Sequence, residues 1–338
     1  MGYKSIEIEN LFQSFKDATV MIIGDVMIDS YLRGEVTRIS PEAPVPIVAL
    51  KKRESMLGGA ANVALNIASL GGKAILCSVI GTDRQGEEYL ALMKKQGLST
   101  DGILKSENRV TTTKYRVIGN KMQMLRIDDE IDTDIDTDET QQLLNKIETL
   151  IKSEKPKVII LQDYNKGVLT TSIINEVIDM ATHNNIAVAV DPKKKNFKNF
   201  KNISLFKPNL KEINEGLGIT VNPLSEKSLQ SAADILHNEY NIKTAMITLS
   251  ENGVFISNNE NGHKLVALIP AVVRNISDVS GAGDTVIGVT ALCLASTTDL
   301  ILTASLANLA GGIVCEQSGV VAVNKTQLLC EAKNILCK

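Results

Sequence analysis

Short apolar runs separated by helical patterns constrain this chain of 338 residues more than any other feature. Val20-Met21-Ile22-Ile23 contains no polar residue, so a strand built from it must be covered on both faces. Comparable runs recur at Ala74–Ile80, Val158–Leu161, Ile186–Val190, Ile203–Phe206 and Ala245–Leu249. Stretches with helical spacing lie between them at Ala60–Leu70, Glu87–Lys95, Glu139–Ile151, Thr171–Thr182 and Ser225–Glu239. The alternation predicts an α/β fold: a largely parallel sheet with helices on both faces. No internal repeat or low-complexity linker divides the chain, which is expected to form one domain over residues 1–338.

Two segments break the rhythm. Residues 31–53 contain Pro41, Pro44 and Pro46, which exclude a helix and suit extended strands. Residues 110–127 carry Thr111, Thr113, Tyr115 and Val117, a turn at Gly119-Asn120, then Met122 to Ile127. Together they predict a small β-flap inserted into the α/β domain. Such a flap can close over a substrate, or bury Ile39, Val45, Ile47 and Val48 against a second copy in a homodimer.

Composition removes several classes. A net charge of −3 and a pI near 5.8 give no nucleic-acid surface, and Lys193-Lys194-Lys195 reads as a solvated loop. No apolar run reaches the roughly 18 residues of a membrane helix. The N-terminus lacks a signal-peptide core and has Ile6 where a myristoylation motif needs Ser or Thr. Five cysteines form no Cys-x-x-Cys pair, and Cys77, Cys293 and Cys315 sit in apolar contexts that predict burial. A soluble protein of a reducing cytoplasm is expected.

The chemistry concentrates in Asp278-Val279-Ser280-Gly281-Ala282-Gly283-Asp284-Thr285, which runs into an apolar segment that reads as a helix. Bare backbone N–H groups at Gly281, Ala282 and Gly283 make an anion hole at a helix N-terminus. Asp284 beside it can take a proton from a hydroxyl while the amides hold the phosphoryl group which that hydroxyl attacks. Two other readings compete: an ordinary glycine-rich cap, and a dinucleotide loop whose third glycine is replaced by Val286. Gly71-Gly72-Lys73 is no phosphate loop, because Ile67 and Ala74 occupy the positions of its first glycine and its hydroxyl. A second motif, Gly58-Gly59-Ala60-Ala61-Asn62, lets a polyhydroxyl ligand approach the backbone and offers Asn62 to its hydroxyls. A small-residue packing face is the plainer reading of it.

An early Gly-Gly-x-x-Asn and a late Gly-Ala-Gly-Asp, in this order on an α/β chain with a flap, resemble the ribokinase-like (PfkB-type) sugar kinases. The resemblance spans about Val20 to Val323. It implies ATP and Mg²⁺ as cofactors, with a monovalent cation possible, and Asp284 as catalytic base. It implies that Asn209-Leu210-Lys211-Glu212 holds the metal and ATP phosphates, with Glu212 reaching Mg²⁺ through water. An Asn cap with a first-turn Glu explains the same residues without function, and both can hold together. Ser250, Gly253 and Asn308 would flank the nucleoside, while Asp25 and Asp29 would hold sugar hydroxyls. Ser280, commonly Thr in relatives, is a mild departure.

Within that family, Arg38-Ile39-Ser40-Pro41-Glu42-Ala43-Pro44-Val45-Pro46-Ile47-Val48 resembles the flap of the D-glycero-β-D-manno-heptose 7-phosphate kinases. Gln162-Asp163-Tyr164-Asn165-Lys166-Gly167 is similar to their Ser-Asp-Tyr-Gly-Lys-Gly, with Gln162 and Asn165 as departures. Leu249 stands where Arg is usual. The implied reaction makes a 1,7-bisphosphate for ADP-heptose and lipopolysaccharide core. Many such enzymes carry a nucleotidyltransferase part with His-x-Gly-His. His183, His237 and His263 stand in no such setting, so a kinase-only form with a separate downstream transferase is expected. A distal sugar phosphate needs cations, and Lys114, Arg116, Arg126 and Lys166 are candidates, with Asp163 at the substrate. Charged solvent faces explain each cation equally simply. Another sugar kinase of this fold is the alternative, and a regulator without catalysis is a more distant one.

Overall fold

The fully apolar runs become central strands of a twisted sheet. The computed structural model describes residues 2–260 and 263–337. In chain order the strands are β1 (Thr19–Gly24), β2 (Val26–Ile39), β3 (Pro46–Gly59), β4 (Lys73–Gly81), β5 (Ile103–Ser106), β6 (Thr113–Gly119) and β7 (Met122–Asp129). They continue with β8 (Val158–Gln162), β9 (Ala187–Asp191), β10 (Leu205–Phe206), β11 (Thr244–Thr248), β12 (Val254–Glu260) and β13 (His263–Ile269). Nine of them form one sheet in the order β13-β12-β11-β10-β9-β8-β1-β4-β5. Every pairing from β5 to β11 in that order is parallel, and the edge hairpin β12–β13 is antiparallel.

Two apolar layers cover this sheet. On one side, helices Ala60–Leu70, Ala282–Leu294 and Leu300–Cys315 pack over Val20, Ile22, Ile160 and Ile256. The latter two helices are apolar nearly all round, as fits helices buried on most sides. On the other side, helices Thr137–Glu154, Thr171–His183 and Glu226–Tyr240 cover Met21, Ile23, Ile159 and Ile247. Cys77, Cys293 and Cys315 are buried. No described helix is long and apolar enough to cross a membrane.

The flap is a separate four-stranded sheet, β3-β2-β6-β7, and is longer than the proline pattern suggested. Its strands start at Val26 and end at Asp129, because β2 continues directly from β1 and β3 runs into the glycines before helix Ala60–Leu70. The three prolines lie at or beside the tip joining β2 to β3, where no ladder N–H is needed. The turn at Gly119-Asn120 is a tight hairpin in which Asn120 and Lys121 both take positive φ, of 50° and 68°. Strand β10 is shorter than the run Ile203–Phe206, its ladder on both neighbours beginning only at Leu205.

Asn66, fully buried, ties three elements together. Its Oδ1 accepts from the Thr285 hydroxyl and from the Val323 N–H, each at 3.0 Å, and its amide donates to the Asn62 carbonyl at 2.9 Å. Asn66→Ala leaves buried polar groups without partners, which costs about 2 to 4 kcal/mol. The expected result is a lower urea midpoint at unchanged slope, and an unshifted midpoint would contradict it.

Candidate active site

The carboxyl ends of the parallel strands converge on one edge, the usual location for ligands in open α/β sheets. Each strand there hands over a polar residue: Asp25 after β1, Gln162 closing β8, Asp191 closing β9 and Lys207 after β10. Above this edge lies a groove of about 780 Å³. Gly281, Ala282, Gly283 and Asp284 form part of its wall, with Asn209, Glu212, Ser250, Gly253 and Asn308 further along.

Gly281 caps helix Ala282–Leu294 at φ 81°, a left-handed conformation that suits glycine. A Cβ there would stand 2.7 Å from the Asn62 amide nitrogen. The Ala282 N–H is turned back onto the Val279 carbonyl at 3.3 Å. This differs from the expected trio of donors. The N–H groups left without an acceptor among the described residues are those of Gly281, Gly283 and Asp284. They give the helix N-terminus its affinity for an anion.

Asp284 is 4% exposed. Asn62 donates to its Oδ2 at 2.9 Å, while Tyr164 and Gln162 donate to Oδ1 at 2.5 and 3.3 Å. Burial raises its pKa to about 6 against the pull of the Tyr164 and Asn62 hydrogen bonds, and the nearby Asp191 charge adds to the rise. A carboxylate of this kind changes protonation close to neutral pH, as suits a general base.

Beneath the helix N-terminus sits a buried ion pair, Lys207 Nζ to Asp191 Oδ2 at 3.1 Å. A Cβ on Gly283 would be 3.7 Å from that Nζ, so the ammonium borders the anion site. A second lysine, Lys193, pairs with Glu212 and lies 5.6 Å over the Tyr164 ring. None of Lys207, Lys193, Asp191, Tyr164 and Gln162 was picked out as functional from the sequence. Their shared signal is position: each closes or follows a parallel strand at its carboxyl end.

Asn209 and Glu212 form a reciprocal capping box. Asn209 Oδ1 accepts from the Glu212 N–H at 2.8 Å, and Glu212 Oε2 accepts from the Asn209 N–H at 2.9 Å. Glu212 Oε1 pairs with Lys193, and Glu212 lines the groove, so the capping box leaves one of its oxygens outside the cap. Leu210 packs against the apolar core, and exposed Lys211 faces Glu215 at 3.9 Å, so neither reaches the groove. Leu249 is 2% exposed within that core.

The expected substrate residues divide. Asp25 accepts three backbone N–H groups, from Tyr164 at 2.8 Å, Lys166 at 3.1 Å and Val168 at 3.0 Å, so its carboxylate anchors the 164–168 loop. Asp163 is fully buried and accepts from the Asn165 N–H and the Asn196 amide. Burial, then the Asp25 charge, lifts its pKa to about 6. Both carboxylates thus serve the loop in this structure. Gly58 and Gly59 lie where β3 meets helix Ala60–Leu70, and a Cβ on Gly58 would collide with the Asp29 carboxylate.

Across the flap, Asp29 lies opposite Lys114 and then Asp128, while Tyr31 lies opposite Arg116 and then Arg126. Arg116 pairs with Asp29 and stands 5.3 Å over the Tyr31 ring. Arg126 clasps Asp128 through two bonds of 2.8 and 2.6 Å, and Lys166 pairs with Glu130 at 2.6 Å. Lys114 makes no ion pair among the described residues, and burial lowers its pKa despite the carboxylates of Glu130, Asp29 and Asp128 around it.

A buried carboxylate beside open helix-terminal amides and two lysines, in a groove of nucleotide size, defines a phosphotransferase acting on a hydroxyl. The chain belongs to the pfkB family of carbohydrate kinases, whose model matches residues 17–327. It is accordingly an ATP-dependent carbohydrate kinase. It is 40% identical over 304 residues to the bifunctional protein HldE of Aliarcobacter butzleri, covering 90% of this chain and 62% of that protein. Against HldE of Methylobacillus flagellatus the identity is 38% over 309 residues, covering 91% and 62%. The chain thus spans less than two thirds of these relatives. In fold it is similar to phosphofructokinase-2 from Escherichia coli in complex with potassium, at TM-score 0.75 and 18% identity over 93% of this chain and 98% of that one. Arabidopsis thaliana ribokinase, complexed with ribose and ATP, gives TM-score 0.67 and 16% identity over 92% and 98%.

Proposed function

We propose that this carbohydrate kinase phosphorylates the anomeric hydroxyl of D-glycero-β-D-manno-heptose 7-phosphate. The reading rests on the flap segment Arg38–Val48, together with 40% identity over 90% of the chain to a protein named HldE. The product would be the 1,7-bisphosphate, with a nucleotidyltransferase acting downstream. A ribose or fructose-phosphate kinase is the alternative within the same fold.

The observation that carries the mechanism is Asp284 beside the open amides of Gly281 and Gly283. The sugar hydroxyl gives its proton to Asp284 as its oxygen bonds to the γ-phosphorus, and the bond from that phosphorus to the bridging oxygen of ADP breaks. The amides, Lys207 and Lys193 face the charge on the transferring group, the main electrostatic contribution in such sites. Glu212, a groove-side carboxylate with one oxygen outside the capping box, fits a Mg²⁺ held mainly by phosphates and water. That ion would neutralise phosphate charge during transfer. Exposed Val273, Ile276 and Val279, with Ser250, Gly253 and Asn308, offer a partly apolar slot for the nucleobase.

Two measurements test this reading. ADP release is expected to be fastest with heptose 7-phosphate, and faster turnover of ribose or fructose 6-phosphate would replace the proposed substrate. Asp284→Asn is expected to keep ATP binding while turnover drops by a factor on the order of 10² to 10⁴. Near-normal turnover would remove Asp284 as the base.

The flap also supports a homodimer. Ile39, Val45, Leu50, Met122, Leu125 and Ile127 are exposed on it, whereas Ile47 and Val48 are half-buried. An apolar area of this kind on one small sheet fits a self-complementary interface. Light scattering at micromolar concentration should give twice the chain mass of 36.6 kDa, and a monomer would exclude the interface.

A further inference from the structure

Gln162 occupies a place that the mechanism above leaves without a task. It closes β8 and is 1% exposed. Its Nε2 lies 3.1 Å from Asp191 Oδ2 and 3.3 Å from Asp284 Oδ1. A side-chain amide has two N–H donors, one for each carboxylate. Its Oε1 is buried with no donor among the described residues. Burying an unpaired acceptor is unfavourable, whereas hydrogen bonds to charged groups are the stronger kind. The residue therefore accepts a local cost for its two contacts to acids.

We infer that Gln162 is a positioning residue for phosphoryl transfer, bridging Asp191 and Asp284 so that the base stays ionised and fixed in direction. The inference rests on Asp284 being the base. The charges around that carboxylate leave few other means to the same end. Asp191 on β9 is the nearest like charge, and Glu212 on helix Leu210–Leu217 and Asp29 on β2 lie further out. Lys207 after β10 and Lys193 after β9 are the cations, and Lys207 is bound to Asp191. Helix Ala60–Leu70 contributes only neutral Asn62, and the loop after β8 contributes the Tyr164 hydroxyl. Asn62 and Tyr164 touch Asp284 without touching Asp191. Gln162 alone among the described side chains bonds to both, so it ties the base to the lysine that borders the anion site.

Losing this amide removes a donor to the ionised base and leaves two carboxylates facing each other, and both changes favour the protonated acid. The near-isosteric Gln162→Met deletes both donors while keeping volume. The test is the pH profile of kcat/KM for the full chain, with ATP and the best acceptor of the three named above. The acid limb is expected to move up by about one pH unit. Below both limbs kcat/KM then falls roughly tenfold, while above them it changes little, and KM for ATP stays near its original value. Phosphate ionisation of the substrates is common to both enzymes and cannot produce the difference. Gln162→Glu, which places a third carboxylate there, should move the limb further in the same direction, and it decides the matter if the Met variant fails to fold. A limb unmoved in the folded variants would overturn the inference. Persistent turnover in Asp284→Asn would instead remove the base itself, so the two failures are distinguishable.

Discussion

The buried pair Lys207–Asp191, at 3.1 Å with both side chains almost wholly enclosed, underlies the arrangement of this site. Taking two charges out of water is costly, and such a pair persists only with good geometry and further hydrogen bonds. Here the further bond comes from Gln162, and the pair lies under the first turn of helix Ala282–Leu294. Without the ammonium, Asp191 and Asp284 would be two buried carboxylates sharing one amide, and one of them would have to hold a proton. Burial lifts Asp284 to a pKa of about 6 against the Tyr164 and Asn62 hydrogen bonds, and the Lys207 charge adds a smaller downward pull. The ammonium also presents its charge beside Gly283, where the helix terminus already favours an anion.

Parallel topology produces this convergence. Strands β1, β8, β9 and β10 all point the same way, so the first residues beyond their ends meet along one edge. Helix Ala282–Leu294 packs on one face of the sheet, because its almost wholly apolar surface must be covered on nearly every side, and its N-terminus reaches that edge. Burial of that helix carries Asp284 into the interior, and the same burial raises the carboxyl pKa. The packing demand of an apolar helix and the raised pKa that the proposed base needs are therefore met by one placement.

Much of this was legible in the sequence, for identifiable reasons. Apolar runs with no polar residue force a two-sided sheet, and Gly281-Ala282-Gly283-Asp284 before an apolar stretch points to a helix start beside an acid, though not to the Ala282 N–H being turned back onto Val279. The dual reading of Asn209 and Glu212 also holds as far as the capping box, since each carboxamide or carboxylate group has more than one oxygen to offer. What stayed hidden depends on pairing through space. Lys207 and Asp191 are sixteen positions apart on neighbouring strands, and nothing in either local pattern announces that they meet. For Asp25 the resemblance implies a sugar ligand, and no local pattern shows the further task that the fold gives it, accepting the N–H groups of the 164–168 loop. Leu249 is 2% exposed and belongs to the apolar core, which its place next to Ser250 at the groove does not reveal.

The flap follows the same logic with charges nearer to solvent. Its face and the adjoining loops bring Lys114, Arg116, Arg126 and Lys166 near Asp29, Asp128 and Glu130. Three of those cations are each held by one carboxylate, which fixes their direction and lowers the entropy lost when a ligand binds. The same carboxylates oppose an incoming dianion, so the paired cations lend orientation more than attraction. Lys114, enclosed between carboxylates without a bond to any, differs in kind. Burial disfavours its charge, and a phosphate in direct contact would favour it. If the proposed distal phosphate binds on this face, Lys114 therefore supplies the attraction, while Arg116 and Arg126 shape the surface that receives it.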